Sequence, residues 1–354
     1  MAGVTASAVP FDLDRLTTYL GDQIEGFSGI VSVEALTGGQ SNPTFVIALD
    51  GRKRYVLRKK PGGVLLPSAH AVDREYRVMT ALKDTDVPVP RTYCLCREES
   101  VIGTMFFVMD YAAGRSLWDP ALPGMAPDER AAIYDEMNRV IAALHRVDVQ
   151  AVGLSDFGKS GDYFARQIGR WSKQYRASET RTIESMENLI AWLPQNIPAG
   201  DETGLVHGDF RLDNLIFHAT EPRIIAVLDW ELSTLGHPLA DFAYHMLAWR
   251  LRPDEFRGIG GLDLAAMGIP DEGNYVAAYC KRTGRQSIEP RDWDFYLAYN
   301  MFRLACIRQG IMGRVLDGNA SNPDAAAVGR RAGDMADSAW RLVETIRTAQ
   351  GRTG

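Results

Sequence analysis

The spacing of apolar positions changes character several times along the chain. Residues 11–20 set Phe11, Leu16, Tyr19 and Leu20 at helical spacing, which predicts a short amphipathic helix after a frayed tail over 1–10. Residues 30–36, 44–49 and 55–57 read instead as strands, the first alternating around Val31 and Val33. Gly38-Gly39 and Asp50-Gly51 separate them, and the latter is a hairpin turn signal. Helical spacing returns over 68–82, with Ala71, Tyr76, Val78, Met79 and Leu82 available for burial. Pro88 and Pro90 end that unit, and 91–95 and 104–109 regain β character. Beyond residue 114 the pattern is mostly helical. Residues 128–146 carry Ile133, Met137, Val140, Ile141 and Leu144 on one face, and 163–175, 182–193, 241–249, 274–281, 293–310 and 325–349 follow. A short β insert over 205–229 interrupts them.

This order predicts an α+β chain in two lobes: a β-rich N-lobe with a helix between its strands over 1–110, and a larger, mostly helical C-lobe over 111–354. The hinge is expected near 110–114. A length of 354 residues agrees with two compact bodies better than one.

Composition narrows the classes. With 46% hydrophobic and 24% charged residues the chain can bury sizeable cores, and a net charge of −6 argues against a general phosphate-neutralising surface for nucleic acid. A nucleotide, which needs only a few local cations, remains compatible. No run approaches twenty apolar residues, and 1–10 lack the cationic start and apolar stretch of a signal peptide. Cys94, Cys96, Cys280 and Cys306 have no zinc spacing and read as reduced, partly buried thiols. The expectation is a cytoplasmic enzyme with no nucleic-acid or membrane partner; no oligomeric state follows from the sequence.

Candidate chemistry concentrates at His207-Gly208-Asp209-Phe210-Arg211-Leu212-Asp213-Asn214 and at Leu228-Asp229-Trp230-Glu231. Phosphoryl transfer needs an acceptor hydroxyl held in line, a carboxylate to take its proton, and cations clamping the phosphates. Asp209 and Asn214 have the spacing of a kinase catalytic loop, Asp followed by four residues and Asn. Asp209 is expected to be the base, Asn214 a Mg²⁺ ligand through its carbonyl, and His207 a brace for the loop. Residues 215–217 and 223–228 read as a hairpin that returns Asp229, the second metal ligand, beside Asn214. Each piece alone is ordinary turn chemistry; their joint occurrence favours the kinase reading. Arg211 and Asp213 either face the acceptor, where Arg211 would offset the anionic phosphate or bind an acidic substrate, or serve a purely structural salt bridge.

The segments 207–214 and 229 resemble the aminoglycoside phosphotransferase and choline kinase-like superfamily. So do LGHPLAD at 235–241, YVLRKKP at 55–61, and Arg74-Glu75. The resemblance covers about 30–310, and within the superfamily it is nearest to kinase domains related to those fused to acyl-CoA dehydrogenases. It implies a bilobal protein-kinase-like fold, ATP or GTP with Mg²⁺, and phosphorylation of a small molecule's hydroxyl. It also puts Arg58 where the family carries a lysine, with Glu75 as partner, or Lys59 or Lys60 if the register slips. Gly38, Gly39, Ser41 and Asn42 would approach the phosphates, although paired glycines alone signal only a turn. The segment 107–111, ending at Asp110 and Tyr111, would meet adenine through its backbone.

The acceptor expected from the subfamily is a hydroxyacyl-CoA or hydroxy acid, with aminoglycosides or choline as the alternative. Further readings are a non-catalytic nucleotide-binding module and, ranked last, a metal-dependent hydrolase. His145 reads as a partner of its helix C-terminus, and His237, His245 and Asp241 as structural or capping groups. Trp171, Trp230 and Trp249 read as core or groove residues.

Overall fold

The computed structural model describes residues 9–36, 42–50, 53–62, 70–320 and 323–351. In chain order these form α1 (Leu13–Gln23), β1 (Ile30–Ala35), β2 (Thr44–Leu49), β3 (Arg54–Lys59), α2 (Val72–Leu82), β4 (Thr92–Cys96), α3 (Glu99–Ile102), β5 (Phe106–Asp110) and β6 (Arg115–Ser116). Then come α4 (Pro127–His145), α5 (Tyr163–Ala177), α6 (Glu184–Trp192), β7 (Gly204–Val206), β8 (Leu215–Phe217), β9 (Ile224–Val227), β10 (Thr234–Gly236) and α7 (Pro238–Arg250). The chain ends with α8 (Pro253–Phe256), α9 (Leu264–Met267), α10 (Glu272–Thr283), α11 (Pro290–Leu316), α12 (Ala325–Arg330) and α13 (Ala332–Gly351).

These elements make two compact units. One comprises 1–118, 149–154 and 211–233, and the other 119–148, 155–210 and 234–354. The units follow packing and not the linear division after residue 110. β6 pairs with β8, which carries the hairpin to the first unit, and Val227 N–H donates to Pro88 O at 2.8 Å.

In the first unit, an antiparallel sheet runs in the order β1-β2-β3-β5-β4. Val33, Phe45, Ile47, Tyr55, Leu57 and Val108 pack against Leu16 and Leu20 of α1 in a closed core. α2 buries Val72, Glu75, Val78, Met79 and Leu82. Those positions follow the i, i+3, i+4 stripe of a helix, so geometry puts a carboxylate in the apolar face while Tyr76 stays half-buried. A separate sheet joins β6, β8 and β9. Gly114 lets the chain pass this sheet: a Cβ there would lie 2.1 Å from Phe217 O.

In the second unit β7 pairs antiparallel with β10, and helices supply most of the rest. α7 is buried on nearly every side, which is why its sequence shows little alternation of apolar and polar positions. The helix expected over 325–349 is two helices. Gly329 packs where a Cβ would lie 2.8 Å from Met312 Cβ, and Arg331 N–H turns back to Val328 O at 3.2 Å. The four cysteines are buried and free, and no helix among the described residues is long and apolar enough to cross a membrane.

Candidate active site

Arg58, the second-last residue of β3, lies beside Glu75 of α2. The Arg58 Nε lies 3.1 Å from Glu75 Oε1 and 3.0 Å from Oε2, and its Nη2 donates to Asp229 Oδ1 at 2.8 Å. A guanidinium can span two carboxylates in this way because its donors are fixed in a planar fork. Burial alone would lower Arg58, but the charges of Glu75, Asp229 and Glu231 hold it above the ordinary arginine value. Burial pushes Glu75 up to about 7 against the opposing charge of Arg58. Lys59 has no such pair among the described residues; burial lowers its ammonium.

Asn42 is 1% exposed and donates its Nδ2 to Glu75 Oε1 at 2.9 Å, with His70 Nδ1 3.1 Å from its Oδ1. The Asn42 amide, expected as a phosphate donor, is thus tied to Glu75 and His70. Gly38, Gly39 and Ser41, named with it, lie outside the described residues. The backbone amides of Asp110 and Tyr111 donate to Arg91 O at 2.8 Å and Arg54 O at 3.4 Å. The amides of these two residues are thus engaged within the protein. Asp110 also accepts from Tyr93 OH at 2.6 Å, and Arg54 stacks 3.8 Å over the Tyr111 ring.

The hairpin brings the expected metal ligands together. Leu215 pairs with Val227, and Leu228 N–H donates to Asn214 O at 2.8 Å. Asp229 therefore follows one residue after the backbone bond to Asn214. Its φ of 63° and ψ of 56° lie in the left-handed region, where a non-glycine residue is strained, and such strain clusters at functional positions. Trp230 locks the corner, 1% exposed, by donating Nε1 to Val227 O at 2.9 Å. Among the described residues no group of three His, Cys, Asp or Glu side chains could hold a metal by itself. Asn214 and Asp229 do supply the oxygen donors a hard cation takes, so they fit one shared with phosphate oxygens. Arg211 Nε lies 3.3 Å from Asp213 Oδ1, the structural alternative of its two expected roles.

In the second unit the loop 207–210 is held from below by α7. Asp241 Oδ2 accepts from His207 N–H at 2.8 Å and its Oδ1 accepts from Gly208 N–H at 2.8 Å. Burial would raise Asp241, but His145, 3.2 Å away, and His207 lower it below the ordinary aspartate value. His145 gives its other ring nitrogen to Tyr279 OH at 2.7 Å. It thus pairs with Asp241 and Tyr279, not with the end of its helix. Gly208 adopts φ 83°, which permits the sharp turn before Asp209. His207 is fully buried, and its Nδ1 accepts from Asp209 N–H at 3.2 Å, the geometry of a brace. Asp209 Oδ1 accepts from Tyr244 OH at 2.6 Å, and Arg303 Nη2 donates to Gly208 O at 2.8 Å.

Tyr244 and Arg303 were invisible to motif reading. Each sits in an apolar helical stretch, and the only signal is a polar residue inside a run otherwise buried. His237 caps α7 by accepting from Leu239 N–H at 3.2 Å, and His245 meets Tyr275 OH at 2.8 Å.

These features define a kinase-like phosphotransferase scaffold. Residues 32–296 match the APH phosphotransferase enzyme family, and the chain belongs to it. Acyl-CoA dehydrogenase family member 10 of Mus musculus is 51% identical over 331 residues, covering 92% of this chain and 31% of the relative. The chain spans less than half the length of such relatives. A candidate aminoglycoside phosphotransferase from Ralstonia eutropha JMP134 superposes with a TM-score of 0.88 at 56% identity, covering 95% of this chain and 99% of that one. A choline kinase of Cryptosporidium parvum shares the fold alone, with a TM-score of 0.66 at 12% identity over 94% and 97% of the two chains. The expected superfamily and α+β kinase-like fold are both borne out.

Proposed function

We propose that the protein transfers the terminal phosphoryl group of ATP to a hydroxyl of a small molecule, a hydroxyacyl-CoA or a hydroxy acid. The observation that carries this reading is Arg58 bonded to both Glu75 and Asp229, with Asp229 delivered beside Asn214 by one hairpin. Arg58 takes the lysine's part and contacts the phosphates. Mg²⁺, with Asn214 and Asp229 among its ligands, would neutralise charge on the phosphates and hold them for in-line transfer. Asp209 accepts the acceptor's hydroxyl proton as the oxygen–phosphorus bond forms. The bond from the terminal phosphorus to its bridging oxygen breaks, and ADP leaves with that electron pair. The acceptor class draws support from the acyl-CoA dehydrogenase names of the longer relatives.

The test is release of ADP from MgATP, and of GDP from MgGTP, against a panel of hydroxy acids, hydroxyacyl-CoAs, choline and aminoglycosides. Turnover with a hydroxy acid or hydroxyacyl-CoA, lowered about 10²–10⁴-fold in Asp209→Asn, is the expected result; turnover with aminoglycosides alone overturns the acceptor class. A second reading, a nucleotide-binding module without transfer, is favoured by one observation: an arginine, Arg58, stands where a lysine is usual. Binding of ATP with no transfer to any panel member, water included, would establish it.

A further inference from the structure

α7 grips the catalytic loop with two side chains on one face. Asp241 and Tyr244 are three residues apart, so they neighbour each other on a helix surface. Asp241 takes the amides of His207 and Gly208, while Tyr244 reaches Asp209 itself, hydroxyl to Oδ1, at 2.6 Å. That length is characteristic of an O–H donor on a charged carboxylate. Arg303 of α11 completes the arrangement: its guanidinium lies 5.0 Å from the centre of the Tyr244 ring, and its Nη2 holds Gly208 O at 2.8 Å. Trp171 of α5 lies 5.7 Å from the same guanidinium. Tyr244 is 7% exposed, so its ring is already fixed by packing before the hydroxyl is considered.

We propose that Tyr244 is a positioning residue for Asp209. Its hydroxyl fixes the rotation of the carboxylate, so that one defined oxygen meets the acceptor's hydroxyl proton; the Tyr244 ring, set under Arg303, fixes the hydroxyl. A carboxylate borne on a loop turns about two side-chain torsions, and orientation of the proton acceptor is worth large factors in rate. The role belongs to the transfer step and not to nucleotide capture, which falls to Arg58, Asn214 and Asp229. It rests on the reading of Asp209 as base.

Tyr244→Phe removes the hydroxyl and keeps the ring. Loss of one charge-assisted hydrogen bond corresponds to about tenfold in rate. The expected result is a kcat lower by about tenfold with KM for MgATP and the unfolding midpoint unchanged. Turnover is read as ADP release with the best acceptor of the panel, or with water where no acceptor responds. In the Asp209→Asn background, Tyr244→Phe should cost nothing further, because the hydroxyl acts only through that carboxylate. A lower unfolding midpoint with unchanged kcat would make the contact purely structural and overturn the proposal. So would a tenfold loss that persists in the Asp209→Asn background. Full turnover by Asp209→Asn alone would instead overturn the base assignment, as would no ADP release by the wild-type protein under any condition.

Discussion

Replacing Arg58 with methionine tests the electrostatics of the first unit most directly. The change keeps much of the side chain's bulk and removes the charge between Glu75 and Asp229. Glu75 is 1% exposed and cannot regain water, whereas Asp229 keeps a third of its side chain in solvent. The cost therefore falls on Glu75. Burial lifts its carboxyl from 4.5 to about 7 even with Arg58 in place. Because the folded value is raised, the folded chain keeps a proton that the unfolded chain releases between pH 4.5 and 7. Stability from this group thus falls as pH rises through that window, by about 3 kcal/mol at full ionisation.

Without Arg58 the opposing charge is gone, Glu75 moves further up, and the penalty above pH 7 deepens. Breaking a buried pair by removing one partner costs about 3–5 kcal/mol when the survivor stays charged. Arg58→Met should therefore be mild near pH 5, where Glu75 is protonated, and cost up to about 2 kcal/mol more near pH 8.5, since the wild-type carboxyl already ionises above about 7. Denaturant midpoints at the two pH values measure it. In a Glu75→Gln background the Arg58→Met cost should lose its pH dependence. Equal destabilisation at both pH values would refute the assignment of the cost to Glu75.

Two buried histidines act in the opposite sense. Burial lowers His237 and His245 from 6.5 to about 4, so their contribution is complete above 6.5 and is lost as pH falls toward 4, about 3 kcal/mol each. Acid unfolding of His245→Gln should show a shallower loss over that window than the wild type; an unchanged slope would mean that another group carries it. Asp241→Asn would set an amide N–H₂ against the N–H of His207 or Gly208. It should destabilise the protein by about 3 kcal/mol and speed hydrogen exchange of those two amides. Protected amides in the variant would show that the loop holds itself.

The sequence by itself determined what is local. Helix and strand periodicity located most elements to within a few residues, because each period reports burial of one face. The hairpin after Asn214 was legible for the same reason: its strands are adjacent, and its length alone returns Asp229 to the start. Arg58 with Glu75 was legible only through resemblance. The helical period of α2 counts apolar residues and passes over a carboxylate in the buried stripe. The two- and three-residue strands β6 and β10 gave no readable period, since each exists only through its partner. Asn42 read as a phosphate donor because its surroundings were hidden; its amide closes on a carboxylate 33 residues away.

What only the tertiary structure decided is the setting of Asp209. Asp241 lies 34 residues from His207, Tyr244 lies 35 from Asp209, and Arg303 lies 95 from Gly208. No spacing rule links such positions. They meet because α7 and α11 are buried around the loop, and packing sets which of their polar side chains point at it.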